Sequence, residues 1–325
     1  MNNPKLSILQ FEPIFKQKIW GGSKLQDYLN KSVTDTNVGE SWEISDVDDA
    51  MSVVSNGLHK GKTLRSLIAL YGADLVGYKN SKRFGAAFPL LIKFIDAKEN
   101  LSVQLHPGDT IAKAKHNSLG KTEMWHIVQA DKDAEIIIGF NKEISEAEYK
   151  QRVSEGTIAE VLNREKVAAG DTFFVYAGLI HAIGAGVVLA EIQQTSDITY
   201  RIYDWDRQDK DGNYRALHQK EALDAIDFDS TQPYKIDQVE TQNQLTNLVR
   251  CDHFITNTIH ITKAQCISHL GLDSFVIYMC VEGVVKVKDG EESIALHMGN
   301  TILVPACIED IEIVDGNGKL LQVYI

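Results

Sequence analysis

Leu101-Ser102-Val103-Gln104-Leu105-His106-Pro107-Gly108-Asp109 is the segment on which the fold of this chain turns. Leu101, Val103 and Leu105 alternate with Ser102, Gln104 and His106. A repeat of two puts alternate side chains on opposite faces of a strand, so serine, amide and imidazole share one face. A strand face that carries an imidazole and ends at a proline forms the wall of a site rather than a plain solvated surface. Outward from it, the chain offers partners in Lys121-Thr122-Glu123, His181, Glu191 and Arg201.

Upstream, Pro89-Leu90-Leu91-Ile92-Lys93-Phe94 predicts a buried strand whose lysine either snorkels out or faces an anion. Residues 37–45 alternate as a strand. Residues 9–13 predict a short strand, Gly21-Gly22 a turn, and Ser23 the cap of a brief helix through Asn30. Leu64, Leu67, Ile68 and Tyr71 have helical spacing that Gly72 stops. Downstream, 110–117 predicts a short helix and 123–128 with 134–139 a β-hairpin. Residues 145–162 form the main helical insertion, with Ser145 and Ser154 as caps. Strands follow at 172–176, 187–193 and 199–203, then a polar loop over 204–213 and a helix over 218–225.

From about Tyr234 short strands recur, separated by glycine or asparagine turns, as in a small all-β sandwich or barrel. Gly170-Asp171-Thr172-Phe173-Phe174-Val175 is matched by Gly299-Asn300-Thr301-Ile302-Leu303-Val304. Two related β units explain the repeat, and the second has no histidine where the first has His181. The expected division is 1–233 for a catalytic unit with helical insertions and 234–325 for a second unit without a metal site.

The 325 residues suffice for two domains. Apolar residues make up 44% and charged ones 24%, the balance of a soluble globular chain. The net charge of -12 argues against nonspecific nucleic-acid binding, which needs lysine and arginine to neutralise phosphates. It leaves room for a small anionic substrate held by a few local cations. Neither a secretory signal nor a bilayer-spanning run is recognisable, so a cytoplasmic protein without membrane contact is expected. Cys251, Cys266, Cys280 and Cys307 form no CxxC pair and are expected to be reduced thiols.

Two imidazoles (His106 and His181), one carboxylate (Glu123) and one amide (Gln104) make up a mixed nitrogen and oxygen set of the kind that zinc accepts. By spacing alone, two unrelated histidines remain the alternative. Glu191 shares a strand face with Gln193, opposite Val188 and Ala190. It reads either as an acid/base group or as an ion-pair partner of Lys121 or Arg201. Arg201 sits between Tyr200 and Ile202, an unusual place for a surface arginine. Lys93, Lys121 and Arg201 are the cations available to a phosphate. Trp20, Trp42 and Trp125 read as core anchors.

Gly170-Asp171, four residues, then Ala177-Gly178-Leu179-Ile180-His181 resembles the second motif of the cupin superfamily, and Gln104-Leu105-His106 with Glu123 resembles the ligand-bearing half of the first. A narrower resemblance is to the type I mannose-6-phosphate isomerases in their short bacterial form. It rests on Trp20-Gly21-Gly22, Gly39-Glu40-Ser41-Trp42-Glu43, Leu101–Pro107, Gly120-Lys121-Thr122-Glu123-Met124-Trp125, and Gly178–Ala182 leading to Thr195–Arg201. These stretches span most of residues 9–207 in the family's order; the last third matches only in texture.

The resemblance implies a mainly β fold of two cupin-type jelly-roll β-barrels with a small helical addition. It implies one Zn2+ per chain, bound by Gln104, His106, Glu123 and His181. Lys93, Lys121, Glu191 and Arg201 are placed in the pocket, with Ser102 near the phosphate. The implied reaction interconverts mannose 6-phosphate and fructose 6-phosphate through a cis-enediol, with Arg201, Glu191 and Lys121 as the catalytic groups. A monomer or weak homodimer is expected. His126 stands where the family usually has tyrosine and reads as a packing change. The alternatives are a non-catalytic sugar-binding cupin and an isomerase of another phosphosugar.

Overall fold

The computed structural model describes residues 5–228, 233–290 and 292–325. The expectation of a mainly β chain with a small helical addition holds. An antiparallel sheet runs in the order Ile14–Gly22, Val38–Ile44, Leu90–Ala97, Val187–Gln194, Glu123–Ala130, Thr172–Val175. A five-stranded sheet, Tyr200–Tyr203, Val103–Leu105, His181–Ile183, Glu135–Phe140, Leu162–Lys166, packs against it. Ile95, Ile127 and Leu189 of the first meet Ile136, Ile138 and Ile183 of the second in a shared core.

The last third of the chain forms a seven-stranded sheet. Its path is Thr246–Arg250, Ile255–Ile261, Asp310–Tyr324, Val276–Asp289, Glu292–His297; Gln265–Ser268 and Thr301–Val304 pair at its sides. One face encloses Ile259, Val285, Leu296, Ile302 and Leu320. The other face lies against the six-stranded sheet. There Ile277, Met279, Leu321 and Val323 join Ile92, Phe94, Val188 and Ile192 in one continuous core. This explains the dense apolar run around Lys93. Strand Leu90–Ala97 is buried on both faces, so its polar residues are only Lys93, aimed at the site, and Asp96, which accepts the Lys24 amide at 2.7 Å. Each aliphatic side chain closed into this seam contributes about 1.5–3 kcal/mol of transfer free energy.

Several local expectations are corrected. Gly21-Gly22 is not a turn but the end of strand Ile14–Gly22. A Cβ on Gly21 would collide with the backbone of Asn37 and Gly39, so glycine serves close strand approach there. Glu123–Ala130 and Glu135–Phe140 do not pair as a hairpin; they belong to different sheets, and the loop between them turns the corner, with the Asp131 amide on the Gly186 carbonyl. Alternation predicts a strand but not which sheet it joins. Ser145 does cap Glu146–Ser154 through the Glu148 amide, whereas Ser154 is the last residue of that helix and donates to the Gln151 carbonyl. Ser23 precedes the helix Lys24–Asp27, which is shorter than expected, without a side-chain capping bond. Two helices went unpredicted, Ala73–Val76 and Tyr78–Phe84. So did the strands Thr246–Arg250 and Gln265–Ser268. Not all of the strands after Tyr234 are short: Val276–Asp289 and Asp310–Tyr324 are long and continuous, because Gly283 and Gly316 bend through positive φ without ending the ladder. The four cysteines are free thiols. Among the described residues no helix is long and apolar enough to cross a membrane.

Candidate metal centre

Three separate strands bring the sequence candidates together. His106 follows Val103–Leu105, His181 opens His181–Ile183, and Glu123 opens Glu123–Ala130. Register places Gln104 opposite both His181 and Arg201. Val103 and Leu105 point into the core beneath, so the period of two sets Ser102, Gln104 and His106 on the site side.

The histidine tautomers follow from their neighbours. His106 Nδ1 lies 2.7 Å from the Ile198 carbonyl and His181 Nδ1 2.8 Å from the Leu179 carbonyl. A carbonyl only accepts, so each Nδ1 holds the proton and each Nε2 presents a lone pair. The two Nε2 atoms are 3.2 Å apart, and the Glu123 oxygens lie 3.6 Å from each. All three side chains are buried, and their ligand atoms fall within 4.8 Å of one another. Three acceptors converging this closely repel unless a cation sits among them. The Lys121 ammonium stands in that role here, 2.9 Å from His106 Nε2 and against Glu123 Oε2. A divalent ion fits the donor set, and the carbonyls on both Nδ1 atoms orient the rings as partners of ligand histidines do. Burial, reinforced by Lys121, pushes the His106 imidazole well below its usual value and His181 to about 3. Burial, with Glu191 nearby, raises the Glu123 carboxyl to about 7 against the pull of Lys121.

Around this centre lies a pocket lined by Lys93, Ser102, Gln104, Lys121, Glu191 and Arg201. Lys93 does not snorkel: its Nζ is 3.0 Å from Glu191 Oε2. Glu191 Oε1 accepts from Trp125 Nε1 at 3.1 Å and is 4.0 Å from Lys121 Nζ. Its ion-pair partners are thus the two lysines and not Arg201. Burial alone would raise the Glu191 carboxyl, but Lys93 and Lys121 outweigh it and bring it down to about 2. Arg201 Nε donates to Ser102 Oγ at 3.2 Å, and Ser102 Oγ donates to Gln104 Oε1 at 3.2 Å. Trp20, Trp42 and Trp125 are all buried and each presents part of a ring to the pocket.

Sequence reasoning missed part of the lining. Glu40 is buried there, bonded by Trp42 Nε1 at 2.6 Å and paired with Lys18 at 3.1 Å. Burial opposes its charge, but Lys93 and Lys18 hold its carboxyl below the usual value. Its signal was available, since Glu40 and Trp42 share a face of an alternating strand. Arg215 and Asp197 also line the pocket from loops, where no periodicity could mark them, and Thr199 lines it from the residue just before strand Tyr200–Tyr203. His126 is on the opposite face of its strand, where its Nδ1 meets Thr172 Oγ1 at 2.9 Å.

Fold and site define a class: a mainly β protein with a histidine–carboxylate metal centre under a pocket rich in cations. Comparison with known proteins narrows it. Residues 8–152 match the model of the phosphomannose isomerase type I catalytic domain, and 244–325 that of the mannose-6-phosphate isomerase cupin domain. The mannose-6-phosphate isomerase ManA of Bacillus subtilis is 36% identical over 300 residues, 91% of this chain and 92% of that one. A mannose-6-phosphate isomerase of Streptococcus mutans is 36% identical over 306 residues, 92% and 94% of the two chains. The crystal structure of the mannose 6-phosphate isomerase from Bacillus subtilis superposes with a TM-score of 0.89 at 33% identity, covering 98% of this chain and 100% of that one. The chain belongs to the type I mannose-6-phosphate isomerase family and is an isomerase.

Proposed function

We propose that this chain interconverts mannose 6-phosphate and fructose 6-phosphate using one zinc ion held by Gln104, His106, Glu123 and His181. The observation that carries the reading is the pair of Nε2 lone pairs, 3.2 Å apart and facing one carboxylate, beneath a pocket lined with lysine and arginine. Residues 1–233 are assigned to the catalytic unit and 234–325 to a unit without a metal site. A zinc ion bound there supplies Lewis-acid polarisation of the sugar oxygens.

The chain's own groups supply the rest. The reaction moves a proton between C1 and C2 of the open-chain sugar through a cis-enediol, and negative charge builds on oxygen as carbon loses its proton. Glu191 is assigned the carbon-bound proton. It is ionised and therefore able to accept, and its ion pair with Lys93 loosens as it does so. Lys121, on the same side of the pocket, donates to the oxygen that gains charge. Arg201 and Ser102 take the phosphate end, with Arg201 fixed by the Ala216 carbonyl at 3.0 Å. Lys93 keeps Glu191 in place, and the tryptophans exclude water.

The test is a coupled assay on mannose 6-phosphate with purified protein, before and after chelation and with zinc added back. Turnover that disappears with chelator and returns with zinc supports the reading. Turnover on a different phosphosugar alone would replace the substrate, and binding without turnover on any would leave a sugar-binding cupin. Arg201→Ala is expected to keep the metal and lose turnover.

A further inference from the structure

Two guanidinium groups face the mouth of the pocket, and they are held in different ways. Arg201 has no carboxylate partner among the described residues; Ser102 Oγ and the Ala216 carbonyl fix it. Arg215 is gripped by Asp204, whose carboxylate accepts from Arg215 Nε at 2.7 Å and from Nη2 at 2.5 Å. This fork leaves Arg215 Nη1 without a bond to any described residue, on a side chain that lines the pocket beside Ser102, Thr199 and Arg201. The two arginines are close enough for Arg215 to add to the effect of burial in lowering the Arg201 pKa. Like charges so placed await an anion.

Asp204 is itself built in. It is 6% exposed and directly follows strand Tyr200–Tyr203, which carries Arg201. Its Oδ1 also takes Arg207 Nη2 at 3.0 Å, and the same nitrogen reaches the Asn100 carbonyl at 2.7 Å. The next two residues, Trp205 and Asp206, have φ of 58° and 51°, so the chain reverses sharply through a conformation costly for a side chain as large as tryptophan. Trp205 Nε1 anchors that reversal on the Leu101 carbonyl at 2.7 Å. Beyond it, Gln208 pairs with Tyr214, and the Asp209 carboxylate takes the amides of Asp211 and Asn213 at 2.9 and 2.8 Å. Residues 207–215 thus form a flap whose first and last residues, Arg207 and Arg215, are both pinned at its base by Asp204.

We propose that Asp204 is a positioning residue that sets the preference for phosphorylated over free sugar. It acts through Arg215, holding that guanidinium at the pocket mouth where a phosphate monoester dianion meets Arg201 and Ser102. A fork fixed in advance loses little conformational freedom when the anion arrives, which a free arginine on a surface hairpin would lose. The inference rests on the phosphosugar reading given above.

The experiment is steady-state kinetics on the zinc-loaded full chain with mannose 6-phosphate and with mannose, and inorganic phosphate as competitive inhibitor. Asp204→Asn keeps the volume and removes the charge. It is expected to raise KM for mannose 6-phosphate and Ki for inorganic phosphate together by about tenfold. kcat stays within about threefold, and kcat/KM for mannose is unchanged, so the preference for the phosphorylated sugar narrows. Arg215→Lys keeps the charge but cannot make the two-bonded fork, and it is expected to raise the same KM and Ki. Unchanged KM and Ki in either variant overturns the proposal, as does an equal loss on both sugars, which marks general damage. If Arg201→Ala raises Ki for phosphate while Asp204→Asn does not, the positioning role falls and the phosphosugar reading stands. If neither mannose 6-phosphate nor inorganic phosphate engages the unaltered protein, the broader reading falls first.

Discussion

Five strands of the six-stranded sheet recur in the seven-stranded sheet, and the two sets differ most at the proposed site. In chain order and in neighbours, Val38–Ile44, Leu90–Ala97, Val187–Gln194, Glu123–Ala130 and Thr172–Val175 match Thr246–Arg250, Ile255–Ile261, Asp310–Tyr324, Val276–Asp289 and Thr301–Val304. Across the first sheet, register sets Trp42, Lys93, Glu191, Trp125 and Phe173 side by side. Across the second, the same steps give Asn247, Asn257, Gln322, Tyr278 and Ile302. The ion pair Lys93–Glu191, bonded by Trp125, is answered by Asn257 on Gln322 at 2.8 Å and Gln322 on the Tyr278 hydroxyl at 2.8 Å. Tyr278 passes its own proton toward His269 Nε2, also at 2.8 Å. Where Glu123 pairs with Val175, Val276 pairs with Val304. The hydrogen-bonded frame survives without a single charge. The fold therefore does not require the charges of the first row, and burying charge without a partner is costly, so their presence points to chemistry.

That contrast can be broken most severely at Glu123. Glu123→Ala is expected to abolish metal binding and lower turnover by roughly 10³-fold or more, read by metal analysis and the coupled assay, with the seven-stranded sheet still folded. Charging the neutral row comes next. Asn257→Lys alone should cost about 3–5 kcal/mol, and adding Gln322→Glu should recover much of it, because the second charge supplies the partner that Lys93 has in Glu191. Urea unfolding of the two singles and the double measures the coupling; equal costs for single and double would mean the rows are not equivalent. Glu191→Gln removes one charge of the first row and leaves Lys93 with Glu40 as its remaining carboxylate. It is expected to cost roughly 10²-fold in kcat and to lower stability by less than Asn257→Lys does, because that second carboxylate remains, checked by kinetics and a thermal melt.

The smallest effect is expected at the seam between the sheets, where His126, opposite Thr172, corresponds to Met279, opposite Thr301. Burial brings the His126 imidazole from its usual 6.5 to about 4. The unfolded chain binds the proton first, so the contribution of neutral His126 is whole above 6.5 and lost as pH falls toward 4. His126→Gln should flatten that part of the stability–pH curve by about 1–3 kcal/mol. A curve of unchanged slope between those values would remove His126 from the account.

Much of the centre was legible because period-two alternation is a local signal. Ser102, Gln104 and His106 declare a shared face within five residues, and Lys93 stands out as the one charge in the apolar run Pro89–Phe94. What was hidden depended on partners distant in sequence. The corner between Glu123–Ala130 and Glu135–Phe140 looks like a hairpin until the sheets are assigned. Arg215 reaches the pocket from a polar loop whose composition says only that it is exposed. The correspondence of Lys93 with Asn257 cannot be read from residue type at all; it exists only in register.

The seam has a consequence for how the chain is made. Leu9 and Leu303 exchange backbone hydrogen bonds of 2.9 Å in both directions. The back of the six-stranded sheet shares one core with residues between Leu248 and Val323, and also with Leu9, Leu25, Leu64, Leu67 and Leu75 from the start of the chain. A ribosome that has completed every residue of the candidate metal centre has still to deliver part of the surface that covers the sheet behind it. Until the final strands emerge, Ile92, Phe94, Val188 and Ile192 lack the part of their cover that Ile277, Met279, Leu321 and Val323 supply. Contacts of such long sequence separation form slowly and leave apolar surface exposed meanwhile. The last third of the chain, which carries no charged row of its own, thus decides when synthesis ends in a folded molecule and when it ends in an aggregate.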